Sequence, residues 1–94
     1  MKTKVVHCKH HKYDVYIGRP SMWGNPFAIG KDGTRAEVIT KYEEYLTANS
    51  ELMSKVKQLQ GMVLGCWCAS GKEELTASDP LVCHGQILAK YADA

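Results

Sequence analysis

Ninety-four residues, 45% of them hydrophobic and 23% charged, make a single domain over 1–94 with one modest core, and exclude a disordered chain. The formal charge of +2 is too small to imply a nucleic-acid partner by itself, and no apolar run approaches a membrane span. The N-terminus lacks the apolar stretch of a secretory signal, so the expected location is the cytoplasm, with no membrane partner.

In chain order, residues 3–8 are short and β-branched at Val5 and Val6, which predicts a strand. Residues 9–12 form a polar, histidine-rich turn. Residues 13–18 alternate aromatic and aliphatic side chains, a second strand closed by Gly18 and Pro20. A loop follows, because Gly24-Asn25-Pro26 and the glycines at 30 and 33 do not continue a regular element. Thr34 opens a helix with Glu37 placed to complete a capping box, and Val38, Tyr42 and Tyr45 or Leu46 fall on one face. That helix should stop near Asn49-Ser50, either of which can cap a second helix running to about residue 60. Leu52, Val56 and Leu59 form its apolar stripe, with Gly61 at its end. Residues 62–67 read as a buried strand, 69–80 as the nearest thing to a flexible insertion, and Cys83 or His84 starts a last helix facing Ile87, Leu88 and Tyr91 inward.

The expected fold is therefore a small α/β domain of order β-β-α-α-β-α, with a three-stranded, partly parallel sheet and about three helices. A third strand that returns after helices favours parallel pairing through a right-handed crossover. In such sheets the functional crevice lies beyond the carboxyl ends of the strands. Arg19 follows the second strand and Cys66 to Cys68 end the third, so both should meet there.

Cys66-Trp67-Cys68 and Cys83-His84 hold three of the four cysteines. In a reducing cytoplasm such clusters read as metal ligands or catalytic thiols. Cys-x-Cys on extended chain sends both thiols to one side, and Cys83 and His84 at a helix start supply a second pair. Cys66, Cys68, Cys83 and His84 are thus the expected ligands of zinc, which favours thiolate and imidazole in tetrahedral geometry. In so small a core a structural metal would matter. The alternatives are buried apolar cysteines, a three-ligand site with water on the metal, or a thiol at Cys66 or Cys83 polarised by His84. Cys8 and His10 are secondary ligand candidates.

The 19–27 loop carries the other chemistry. Arg19 presents a planar fork of donors for phosphate or carboxylate, Ser21 and Asn25 offer neutral hydrogen bonds, and Trp23 offers a flat face for a base. Arg35 brings a second cation to the first turn of the capped helix, where anions settle readily. Residues 1–20 add Lys2, Lys4, Lys9 and Lys12 against Asp14 alone. Together these suit a nucleotide or nucleic acid. The rival reading places Trp23 and Phe27 in the core and pairs Arg19 with an acid such as Glu37.

The runs Gly18-Arg19-Pro20-Ser21-Met22-Trp23-Gly24-Asn25-Pro26-Phe27, Asp32-Gly33-Thr34-Arg35, Gly65-Cys66-Trp67-Cys68 and Cys83-His84-Gly85 resemble a family of small bacterial and bacteriophage proteins known as a domain of unknown function. The likeness covers nearly the whole chain from Tyr13. It implies a bacterial or phage cytosolic origin, and that Arg19, Trp23, Asn25, Arg35, Cys66, Cys68, Cys83 and His84 belong to the family pattern. The chain departs from that pattern in the longer stretch between Cys68 and Cys83 and in its histidine-rich residues 7–11. The resemblance supplies no reaction. Three readings follow: a zinc-braced module binding a nucleotide or nucleic acid, a zinc-dependent hydrolase or transferase on a nucleotide-like substrate, and a phage protein that binds a host factor.

Overall fold

The computed structural model describes residues 3–19, 21–67, 74–79 and 82–94. Three strands form the sheet: β1 (Lys4–His7), β2 (Val15–Tyr16) and β3 (Val63–Cys66). Val5, Val6 and Leu64 are fully buried, so β1 and β3 bring the apolar content that parallel strands covered on both faces require. Their order is β1-β3-β2, with both pairings parallel. Both pairings are parallel because β3 enters between β1 and β2, which never pair with each other, while a single antiparallel bridge joins Val5 to Leu75.

Two strands that run the same way need a returning connection. Residues 8–14 make it without a helix, across one face of β3. Tyr13 occupies the space above Gly65, where a Cβ would sit 2.5 Å from Tyr13 Cγ. Asp14 pins the crossing: its N–H donates to the Val63 carbonyl (2.7 Å), and its carboxylate accepts from the Val63 N–H (2.9 Å). Tyr13 and Asp14 are taken by this crossing, so the expected strand over 13–18 shortens to Val15–Tyr16.

Helix α1 (Arg35–Ala48) begins with the capping box its sequence predicts. Thr34 Oγ1 accepts from Glu37 N–H (3.2 Å), and Glu37 Oε1 accepts from Thr34 N–H (2.9 Å). It buries Val38, Ile39, Tyr42 and Leu46. Asn49 then caps α2 (Ser50–Lys55) by accepting from Leu52 N–H at 3.2 Å. The chain continues as a 3-10 turn over Val56–Leu59, and Leu52, Val56 and Leu59 all face the core. Gly61, at φ 78°, supplies the left-handed residue that ends this run.

Helix α3 (His84–Ala92) is buried along most of its length, because it packs on the sheet and on α1 at once. Close approach to the sheet needs a missing side chain: a Cβ on Gly85 would meet Ile17 Cδ1 at 2.6 Å and Val5 Cγ1 at 2.8 Å. The two ends of the chain meet where Thr3 donates to Asp93 through N–H (2.9 Å) and hydroxyl (2.6 Å). Among the described residues no helix is long and apolar enough to cross a membrane.

Glu43 of α1 accepts from Lys90 Nζ (2.7 Å) and Tyr91 Oη (2.6 Å) of α3. These bonds hold its carboxyl below the ordinary value of 4.5. As pH falls, the unfolded chain therefore takes up this proton first. The link contributes fully above the unfolded value and is lost as pH drops through the folded one. Denaturant melts at pH 7 and pH 3 should show the wild type losing more stability over that interval than Glu43→Gln. Equal losses would leave the link without a pH-dependent contribution.

Candidate functional site

The chain leaves β2 through Ile17, Gly18 and Arg19, and leaves β3 through Cys66 into Trp67. Helices α1 and α3 both begin at this same end of the sheet. Between them lies a cavity of about 310 Å³, beyond the carboxyl ends of β2 and β3, where parallel sheets place their crevices. Phe27, Ile29, Val38, Ile39 and Val82 form apolar walls, while Arg19, Asn25, Arg35 and His84 contribute polar groups. Tyr16, Gly18, Trp67 and Cys83 also line the cavity. Trp67 Nε1–H donates to Tyr16 Oη (2.9 Å), whose own hydroxyl donates to the Arg19 carbonyl (3.1 Å).

The charge of the cavity follows from its lining, which among the described residues includes two arginines and no carboxylate. The Arg19 guanidinium makes no hydrogen bond or ion pair among the described residues and is exposed. Glu37, its candidate partner, is committed to the Thr34 cap, chiefly through the Thr34 N–H, and that bond lowers its carboxyl pKa. Arg35, the first residue of α1, reaches across to donate from Nη1 to the Val82 carbonyl (2.8 Å). This fixes its side chain between the starts of α1 and α3. Two helix N-termini, each the positive end of a backbone dipole, therefore flank a cavity that carries two guanidinium groups.

The 19–27 loop divides between cavity and core. Asn25 lines the cavity while bracing its wall: Oδ1 accepts from Phe27 N–H (2.9 Å), and Nδ2 donates to the Val38 carbonyl (3.2 Å). Trp23 is only 6% exposed and belongs to the hydrophobic core, with its carbonyl taking the Tyr42 hydroxyl (2.7 Å). Ser21 Oγ is buried and has no hydrogen-bond partner among the described residues. Of the expected ligand contacts, Arg19, Asn25 and Arg35 share the cavity; Ser21 and Trp23 do not line it.

The sulfur cluster adjoins the same cavity. Cys66 Sγ lies 2.7 Å from Cys83 Sγ, and both are fully buried. Cys83 stands at the start of α3 and serves as its N-cap, with Sγ accepting from Gly85 N–H at 3.4 Å and Gln86 Oε1 accepting from the Cys83 N–H at 3.1 Å. His84 Nδ1 is 3.9 Å from that sulfur. Its Nε2 stands 2.8 Å from the Ile17 carbonyl, an acceptor only, so Nε2 carries the hydrogen and the ring's lone pair is on Nδ1. Burial pushes the imidazole pKa down; the Ile17 hydrogen bond opposes this, and the Arg19 charge adds to it.

Cys68 lies outside the described residues. Among those described, no three or more His, Cys, Asp or Glu side chains assemble into a metal-binding group. Cys8 is half-buried, its N–H donating to the Cys66 carbonyl (3.1 Å), and His10 packs its ring 4.9 Å from that of His7. Trp67, 56% exposed, is the aromatic residue that sequence reasoning passed over in favour of Trp23. Strand alternation carried the signal: the pattern that sends Cys66 inward sends the next residue outward.

The family model that matches this chain covers residues 2–94 and describes a domain of unknown function (DUF4326). Comparison with curated proteins and with solved structures finds no match.

Proposed function

The chain belongs to the DUF4326 family, a membership that assigns no reaction, and we propose from the cavity itself that the protein binds a phosphate-bearing ligand of the nucleotide class. One observation carries the reading: a cavity lined, among the described residues, by Arg19 and Arg35 and by no carboxylate, at the start of two helices. An anion there gains charge-assisted hydrogen bonds from the planar guanidinium forks. The apolar walls accept the ligand's less polar part, and a volume of about 310 Å³ is at the small end of ligand cavities, suited to one nucleotide. A cytoplasmic bacterial or phage setting belongs to the same proposal. Thermal-shift titration with inorganic phosphate and with nucleoside monophosphates tests it. A rise in melting temperature that saturates with ligand is expected, and no shift at millimolar concentration would remove the reading.

Zinc enters as a second part of the proposal. Cys66, Cys83 and His84 supply the sulfur and nitrogen donors that zinc favours, with Cys68 as the fourth ligand expected from sequence. The hydrogen bond from His84 Nε2 to the Ile17 carbonyl (2.8 Å) is the orientation that ligating histidines commonly receive from a backbone carbonyl. Zinc binds thiolates, so loading requires reduced cysteines. Elemental analysis of protein purified under reducing conditions should give about one zinc per chain. Cys66→Ser should lower that content at least several-fold. A metal-free, folded, fully reduced chain would end this part and leave phosphate binding to stand on the arginines.

An enzymatic reading is the alternative to zinc at His84: without metal, the Nδ1 lone pair of this buried residue, which lines the cavity together with Arg19, would serve as a general base. Turnover of the bound nucleotide, lost in His84→Gln while binding persists, would establish it.

A further inference from the structure

Trp67 is more than half exposed, although a tryptophan in the 66–68 motif has apolar surface to hide. It is not loose. Tyr16 holds its indole N–H at 2.9 Å, and the His7 ring meets it edge-on at 5.5 Å with an interplanar angle of 83°. Lys9 Nζ stands 5.5 Å over the ring centroid. Indole and cation are thus fixed together at the cavity, of which Tyr16 and Trp67 are lining residues.

The surroundings are basic. Tyr13 above Gly65 puts the 8–14 crossing on the face of β3 to which Trp67 also points, two residues further along. That segment brings Lys9 and Lys12, both exposed. The nearest acid in sequence, Asp14, spends its carboxylate on the Val63 N–H. A flat π-face among lysines, next to a cavity of two arginines, is complementary to a ligand that alternates bases with phosphates. The cavity itself takes about one nucleotide, so any further nucleotide has to lie outside it, against this face.

We infer that the protein takes the end of a single-stranded nucleic acid, with its terminal phosphorylated nucleotide in the cavity, the adjoining base stacked on Trp67, and the backbone along Lys9 and Lys12. This rests on the nucleotide reading above and extends it. Lys9 leaves the indole for a phosphate when a base takes its place. Recognition is tolerant of sequence, since every base offers a face to stack, and it weakens with salt as phosphate contacts release counterions.

The test is a titration with thymidine 5′-monophosphate and with 5′-phosphorylated oligothymidylates of two, four and eight nucleotides, read by anisotropy and tryptophan quenching. Affinity should rise about tenfold or more from one to four nucleotides and then level off. Lys9→Ala/Lys12→Ala should return the tetranucleotide to the affinity of the monophosphate, while monophosphate binding stays unchanged. Trp67→Ala should abolish the quenching and weaken the tetranucleotide about tenfold, and Trp67→Phe should keep most of the binding. Removal of the terminal phosphate should cost at least tenfold.

Equal affinity for one and four nucleotides would overturn this inference and leave the nucleotide reading intact. So would a duplex that binds as tightly as the single strand, or a tetranucleotide indifferent to its terminal phosphate. Binding of neither monophosphate nor oligonucleotide would end both.

Discussion

Alanine at both Arg19 and Arg35 is expected to lower affinity for a nucleoside monophosphate at least a hundredfold, with little change in melting temperature for the Arg19 single variant. A hydrogen bond to a charged group contributes about 1.5–3 kcal/mol, so each guanidinium is worth roughly ten- to a hundredfold when it faces phosphate. The two singles should differ in kind. Arg19 makes no side-chain hydrogen bond or ion pair among the described residues, so its removal should act mainly on ligand and, through the lost charge, on His84. Arg35 also donates to the Val82 carbonyl at 2.8 Å, and its loss also leaves the start of α3 less well held. Arg35→Ala should therefore lose some thermal stability as well as affinity. Arg19→Lys should recover only part of the binding, because an ammonium keeps the charge and gives up the planar fork. Unchanged phosphate affinity in the double variant would refute the cavity's assigned role.

The largest effect on stability should come from Gly85→Ala. The new methyl would stand 2.6 Å from Ile17 Cδ1 and 2.8 Å from Val5 Cγ1, and both neighbours are fully buried. Neither has solvent to move into, so α3 must lift from the sheet. Overpacking of this kind costs about 1–3 kcal/mol, a sizeable share of the roughly 5–15 kcal/mol that holds a domain folded. Helix propensity works in the opposite direction, since alanine is favoured over glycine by about 1 kcal/mol. A measured loss is therefore net of that gain. The displacement also falls beside Cys83 and His84, and ligand or metal affinity should drop along with stability. Gly65→Ala makes a useful contrast: its methyl would meet Tyr13 Cγ at 2.5 Å, but Tyr13 is 43% exposed and its ring can turn outward at smaller cost. Equal chemical-denaturation midpoints for wild type and Gly85→Ala would contradict the close packing described here.

What could be read from the chain divides along local and distant interactions. Thr34 with Glu37, and Asn49 before α2, lie within one helical turn of their partners, and their caps formed as expected. The apolar stripe of Leu52, Val56 and Leu59 was legible for the same reason, although its last turn tightened to a 3-10 form. The order of elements followed from periodicity and turn residues, and the meeting of Arg19 with the end of β3, where Trp67 shares its cavity, from the rule that parallel strands end at a shared crevice. The passage of residues 8–14 across β3 was not legible, because it depends on Tyr13 finding Gly65 far along the chain. The two tryptophans show the same limit. Trp23 stands in a loop of ligand-binding character but completes a core whose other members come from three helices and the sheet. Trp67 stands in a strand-end motif that drew attention to its cysteines. The cap at Cys83, completed by Gln86, was hidden because cysteine is not among the residues that usually begin helices.

The central place of β3 constrains how the molecule comes together. Lys4–His7 and Val15–Tyr16 hydrogen-bond to Val63–Cys66 and never to one another. During synthesis residues 4–16 therefore emerge before the middle strand, and they wait until α1, α2 and the 3-10 turn have left the ribosome. Sheet formation is thus a single late event between distant parts of the polypeptide, of the kind that is slow and exposes unpaired edges. A nascent chain stalled before residue 63 should hold helix without sheet, and its protease sensitivity should end only once 63–66 and the α3 segment that covers the sheet have both been released.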